Sequence, residues 1–111
     1  MEEPSALEAS ATTLNRRSGR VRVNIPVTLI WHEKMQRRQE KTQTVSVSRF
    51  GCLLRTVRSL PLGATIRIEH GYKFMLGTVS YCLKDYAAET SELGIAFDED
   101  GSDLWGIKFP E

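Results

Sequence analysis

Val21, Val23, Ile25, Val27, Leu29 and Trp31 are apolar at every second position of one eleven-residue run. A period of two buries one face of a strand and wets the other, because successive side chains point to opposite sides of a sheet. The run therefore predicts one long strand over residues 21–31. Pro26 has no amide hydrogen to give a ladder, so its nitrogen must meet a sheet edge, a bulge or solvent.

The strand signal recurs down the chain and the helical one does not. The polar residues 32–40 are expected to link to a second strand at 41–46. Residues 47–51 then turn into a third at 52–57, with Gly51 expected where a hairpin requires positive φ. Pro61-Leu62-Gly63 is a turn signal, followed by strands at 64–69 and 72–83 around His70-Gly71. A final strand at 92–97 turns Leu93, Ile95 and Phe97 inward. Six such strands at hairpin spacing predict an all-β fold, a six-stranded antiparallel β-barrel, because closure removes edges that a chain this small cannot cover. Residues 104–109 are too apolar to be loose and are expected to dock as a tail over one open end of the core. Residues 1–15 lack an apolar face and read as a mobile N-terminal arm, leaving 16–111 as the domain.

With 111 residues there is room for one domain without a second core or a deep catalytic cleft. No stretch approaches the ~20 apolar residues of a membrane span. Met1-Glu2-Glu3-Pro4 has neither the basic nor the apolar region of a secretory signal, so a cytoplasmic protein with no membrane partner is expected. Cys52 and Cys82 fit no metal spacing and are expected as reduced thiols. The net charge of +1 conceals segregation: residues 16–58 carry eleven Lys/Arg against Glu33 and Glu40, and both flanking segments are net acidic. Such a pattern can attract an anion if folding gathers the cations at one end.

Enzymatic chemistry finds no support. His32 and His70 have no partner at a metal-ligand spacing, and neither a nucleophile elbow nor a phosphate-binding loop occurs. No catalytic residue, metal or cofactor is therefore expected. Two segments carry binding chemistry instead. Asn15-Arg16-Arg17-Ser18-Gly19-Arg20 precedes the first strand and sets two guanidinium forks four residues apart. Such forks match phosphate oxygens and the O6/N7 edge of guanine. Ser46-Val47-Ser48-Arg49-Phe50-Gly51 joins two strands, and alternation puts the Ser46 and Ser48 hydroxyls on one face, opposite Val45 and Val47.

Taken together, the two segments resemble the PilZ domain family. Residues 16–27 are similar to its R-x-x-x-R segment and first strand. Ser46 to Gly51 falls where the family has D/N-x-S-x-x-G, and Leu93-Gly94-Ile95-Ala96-Phe97 looks like its late G-I/V-x-F strand. The resemblance covers Arg16 to Phe97 and implies a receptor or adaptor for the bacterial second messenger cyclic di-GMP. On that reading Arg16, Arg20, Ser46, Ser48 and Gly51 bind the ligand, with Arg17 and Arg49 as auxiliary cations. Ser46 departs from the family's Asp or Asn and is shorter, though it still donates and accepts. One lost hydrogen bond of roughly 0.5–1.5 kcal/mol weakens binding up to about tenfold. Ligand would order the arm against the barrel and offer a new surface to a separate effector protein. The alternatives are a PilZ-like protein-interaction module that has lost its ligand, or a small nucleic-acid-binding barrel. The last is disfavoured because Trp31 falls on the apolar face, leaving Phe50 as the stacking platform beside the basic residues.

Overall fold

A computed structural model describes residues 19–109; the expected arm, with Arg16 and Arg17, lies outside them. The described strands are β1 (Val21–Arg22), β2 (Pro26–Glu33), β3 (Gln36–Ser48), β4 (Gly51–Thr56), β5 (Thr65–His70), β6 (Lys73–Asp85) and β7 (Thr90–Phe97). A one-turn helix, α1 (Ser102–Trp105), follows. All pairings are antiparallel. β2, β5, β6, β7, β4 and β3 pair in that order, and β3 returns to β2 to close a six-stranded barrel. The remaining strand, β1, lies on β3 beyond the point where β2 leaves it.

The expected single strand over 21–31 is thus interrupted. Val21 and Arg22 pair with Val47 and Ser46, and pairing resumes only at Pro26 with Gln43. Thr44 spans the break. Its hydroxyl accepts the Ile25 amide at 2.8 Å and donates to the Val23 carbonyl at 2.6 Å, while its own amide donates to the Ile25 carbonyl at 3.0 Å. Asn24 Nδ2 donates to the Thr44 carbonyl at 2.7 Å. Backbone groups that leave the ladder still need partners, and one buried threonine serves three of them, the Val23 carbonyl and the Ile25 amide and carbonyl.

A second correction concerns residues 32–40. They form no link, because β2 and β3 run on as a ribbon to a two-residue turn at Lys34-Met35, where Glu33 still pairs with Gln36. Both turn residues have positive φ, 51° and 68°, the arrangement whose twist matches a two-residue hairpin. Pro61 to Ala64 is the predicted turn, with the Ala64 amide donating to the Pro61 carbonyl at 3.1 Å.

The core takes the inward residues of every barrel strand, including Leu29, Trp31, Val47, Leu54, Ile68, Val79, Leu93 and Ile95. The tail docks as expected. Leu104, Trp105 and Phe109 are buried in the same cluster, and Trp105 stacks on Phe97 with ring centroids 6.1 Å apart. Each such side chain stabilises the fold by about 1.5–3 kcal/mol through area removed from water. Cys52 is buried and Cys82 half-buried, and both are free thiols. Among the described residues no helix is long and apolar enough to cross a membrane.

Candidate functional site

A β-bulge decides which way the serines face. Thr44 pairs with Leu54 and Ser46 with Leu53, so Val45 is the extra residue between them. Before the bulge Thr44 points inward; after it Val47 does, opposite Cys52, and Ser46 and Ser48 alternate with Val47 onto the other face, where Ser46 is buried and Ser48 half-buried. The two hydroxyls share a face, as the sequence indicates. Val45, however, sits in the bulge rather than in register with Val47.

Four strands extend this outer face sideways. Ser46 lies across from Arg22 on β1 and Leu53 on β4, Leu53 from Gly94 on β7, and Gly94 from Tyr81 on β6. One step along, Ser48 lies across from Gly51, Gly51 from Ala96, and Ala96 from Thr78. Arg20 is exposed and directly precedes Val21, the partner of Val47, so the register brings it in beside Ser48. Arg20, Ser46, Ser48 and Gly51 therefore meet at one end of β3. Arg22, whose role the sequence reading passed over, joins them.

Gly51 is required for a reason other than the expected one. The hairpin turn is Arg49-Phe50, and Gly51 is already the first residue of β4, without positive φ. A Cβ at this position would stand 2.3 Å from the Ile95 carbonyl oxygen, so close approach of β7 is what demands glycine.

The tail grips the same hairpin. Trp105 Nε1 donates to the Ser48 carbonyl at 3.1 Å, the Gly101 amide to the Arg49 carbonyl, and the Phe97 amide to the Phe50 carbonyl at 2.9 Å. Arg49 Nε stands 3.2 Å from Asp100 Oδ2. Asp100 also accepts the Ser102 hydroxyl and amide, and these bonds, then the Arg49 charge, hold its carboxyl below the usual range. The Arg49 guanidinium is thus engaged by the tail. Sequence could not show this, since the partners are 51 residues apart.

The cations are not gathered at one end. Lys34, Arg37 and Arg38 lie at the β2–β3 turn, whereas Arg22 and Arg49 lie at the other end of the 13-residue β3, roughly 35 Å away at strand rise. Arg38 and Arg58 are neutralised in part by Glu33, at 3.4 and 3.3 Å. Trp31 is buried as expected and Phe50 is half exposed. A separate cleft of about 360 Å³ opens where β2 and β5 diverge, lined by Trp31, His32, Leu60 and Arg67 among others. None of the described residues expected to bind ligand lines it. Among the described residues no three His, Cys, Asp or Glu side chains are grouped to hold a metal ion. In comparison with known proteins, no family model and no curated protein matches the chain.

Proposed function

We propose that this chain is a PilZ-like receptor for cyclic di-GMP that acts without catalysis and passes its signal to a separate effector protein. The observation that carries the reading is the β1–β3 register, which sets Arg22 across from Ser46 and brings Arg20 in beside Ser48. A basic segment and a hydroxyl-bearing hairpin, about 25 residues apart in sequence, thereby border one surface. Guanidinium groups would bind the ligand's phosphates and guanine edges, while the serine hydroxyls donate to or accept from its polar atoms. Arg16 supplies the second fork of the R-x-x-x-R segment, and Arg17 adds charge. Arg49 contributes by holding the hairpin to the tail rather than by direct contact. A closed six-stranded barrel is consistent with the resemblance in the sequence, and a bacterial cytoplasm is the setting it implies.

The test is calorimetric titration with cyclic di-GMP beside other cyclic nucleotides. Wild-type protein binds cyclic di-GMP, and Arg16→Ala or Arg20→Ala removes at least tenfold in affinity with unchanged circular dichroism. Ser46→Asp, which restores the longer acceptor, strengthens binding. Equal binding by the arginine variants and wild type refutes the site.

A further inference from the structure

The β2–β5 ladder stops short on both strands. It runs from Thr28–Glu69 to Ile30–Arg67, although β2 continues to Glu33 and β5 already begins at Thr65. Each of these strands leads into a two-residue turn, β2 at Lys34-Met35 and β5 at Gly71-Tyr72, and the residues flanking such a turn share hydrogen bonds. Counting back by twos, β3 takes the main-chain groups of Glu33 and Trp31, and β6 takes those of His70, Ile68 and Ile66. The N–H and C=O of His32 and of Thr65 therefore point the other way, across the 360 Å³ cleft, with no hydrogen bond between the two residues. Trp31 lines the same cleft and is 5% exposed, and its indole Nε1 is buried without a partner among the described residues. Ile30, Leu60, Pro61 and Ala64 supply apolar walls. The ionic groups at the rim are already paired, Glu33 with Arg38 and Arg58, and Arg67 with Glu69 at 2.9 Å.

We propose that this cleft receives an extended, uncharged peptide segment of a partner protein, which enters as an added strand between β2 and β5. Unpaired strand edges are templates for another chain, and strand addition draws affinity from main-chain bonds and specificity from pockets for alternate side chains. The peptide's N–H and C=O groups meet those of His32 on one side and of Thr65 on the other. One apolar side chain enters against Leu60 and the Trp31 ring, and a peptide carbonyl accepts from Nε1, completing a buried group that lacks a partner. A neutral segment fits better than a nucleotide or an acidic peptide, because the carboxylates and guanidinium groups around the cleft are engaged with each other. The cleft is remote from Arg20 and Ser48: Arg38, across from Trp31, is ten residues from Ser48 along β3, roughly 33 Å at strand rise. The inference goes beyond the cyclic di-GMP reading and stands without it.

The experiment is an NMR titration of the full chain, without nucleotide, using capped pentapeptides acetyl-Thr-Thr-X-Thr-Thr-amide in which X is leucine, valine, phenylalanine or methionine. At least one peptide is expected to shift the His32 and Thr65 amides, protect them from exchange and move the Trp31 indole resonance. N-methylation of X removes a main-chain donor but no side chain, and weakens that peptide about tenfold. Thr65→Pro removes a donor of the cleft at the first residue of a strand, where proline is tolerated, and weakens binding likewise. Equal binding by the N-methylated peptide overturns strand addition. Acetyl-leucine methylamide binding as tightly as the pentapeptides also overturns it, assigning the cleft to small amides. So does protection of both amides in the free protein, through direct pairing if the chain sediments as a monomer or through a second copy if it sediments as a dimer. Unmoved His32, Thr65 and Trp31 resonances with every peptide at millimolar concentration overturn it as well.

Discussion

Replacing Thr44 with Val tests how β1 is held in place. Valine keeps the shape of threonine, so packing at this fully buried position barely changes. What disappears is one hydroxyl that accepts from the Ile25 amide at 2.8 Å and donates to the Val23 carbonyl at 2.6 Å. Each backbone group left unpaired away from water costs about 1–3 kcal/mol. Ile25 is buried and Val23 half-buried, so solvent relieves the carbonyl more than the amide. A loss of roughly 3 kcal/mol results, and at about 4–8 °C per kcal/mol for a domain of this size Tm falls by about 12–24 °C. Thr44→Ser is the control: it keeps the hydroxyl, removes one methyl and costs about 1 kcal/mol. Urea and thermal unfolding measure the totals, and amide exchange reports whether Ile25 loses protection first. If Thr44→Val stays within about 0.5 kcal/mol of wild type, or Thr44→Ser is equally damaged, the hydroxyl does not span the break.

Further outcomes follow from other contacts. Gly51→Ala forces apart the β4 and β7 backbones at a 2.3 Å approach and destabilises by about 1–3 kcal/mol in urea unfolding, with or without ligand; a stable variant with impaired binding would make Gly51 a ligand contact instead. Trp105→Ala removes the stack on Phe97 and the bond to Ser48, and calorimetric unfolding should show a loss of about 3–5 kcal/mol. Asp100 has its carboxyl pKa lowered first by the Ser102 hydroxyl and amide and then by Arg49. Its contribution is therefore present above the ordinary carboxylate range and lost as pH falls through the lowered value. An NMR titration should find its midpoint raised more by Ser102→Ala than by Arg49→Ala. Burial pushes the Cys52 thiol far up, so a thiol reagent at pH 8 should label half-buried Cys82 first; equal rates would show that Cys52 is accessible.

Several features were legible without coordinates. The two-residue period of residues 21–31, the Pro61-Leu62-Gly63 turn and the inward Leu93, Ile95 and Phe97 are local patterns, and the all-β barrel follows from them. The apolar tail declared its burial because an exposed Leu104-Trp105 pair is costly. The motif serines were found on one face because the register from Ser46 to Ser48 keeps alternation.

Long-range partners decided the rest. The β1–β2 break depends on Thr44, about 20 residues from the groups it bonds, and no local signal marks that threonine. Polar residues 32–40 looked like a loop because their ribbon projects past the core, where exposed strands lack apolar alternation. Gly51 is glycine because β7 passes it, and Arg49 meets Asp100 because the tail folds back. Alternation along a chain specifies which side chains can be buried, but the neighbour that each strand meets is set only when the barrel closes.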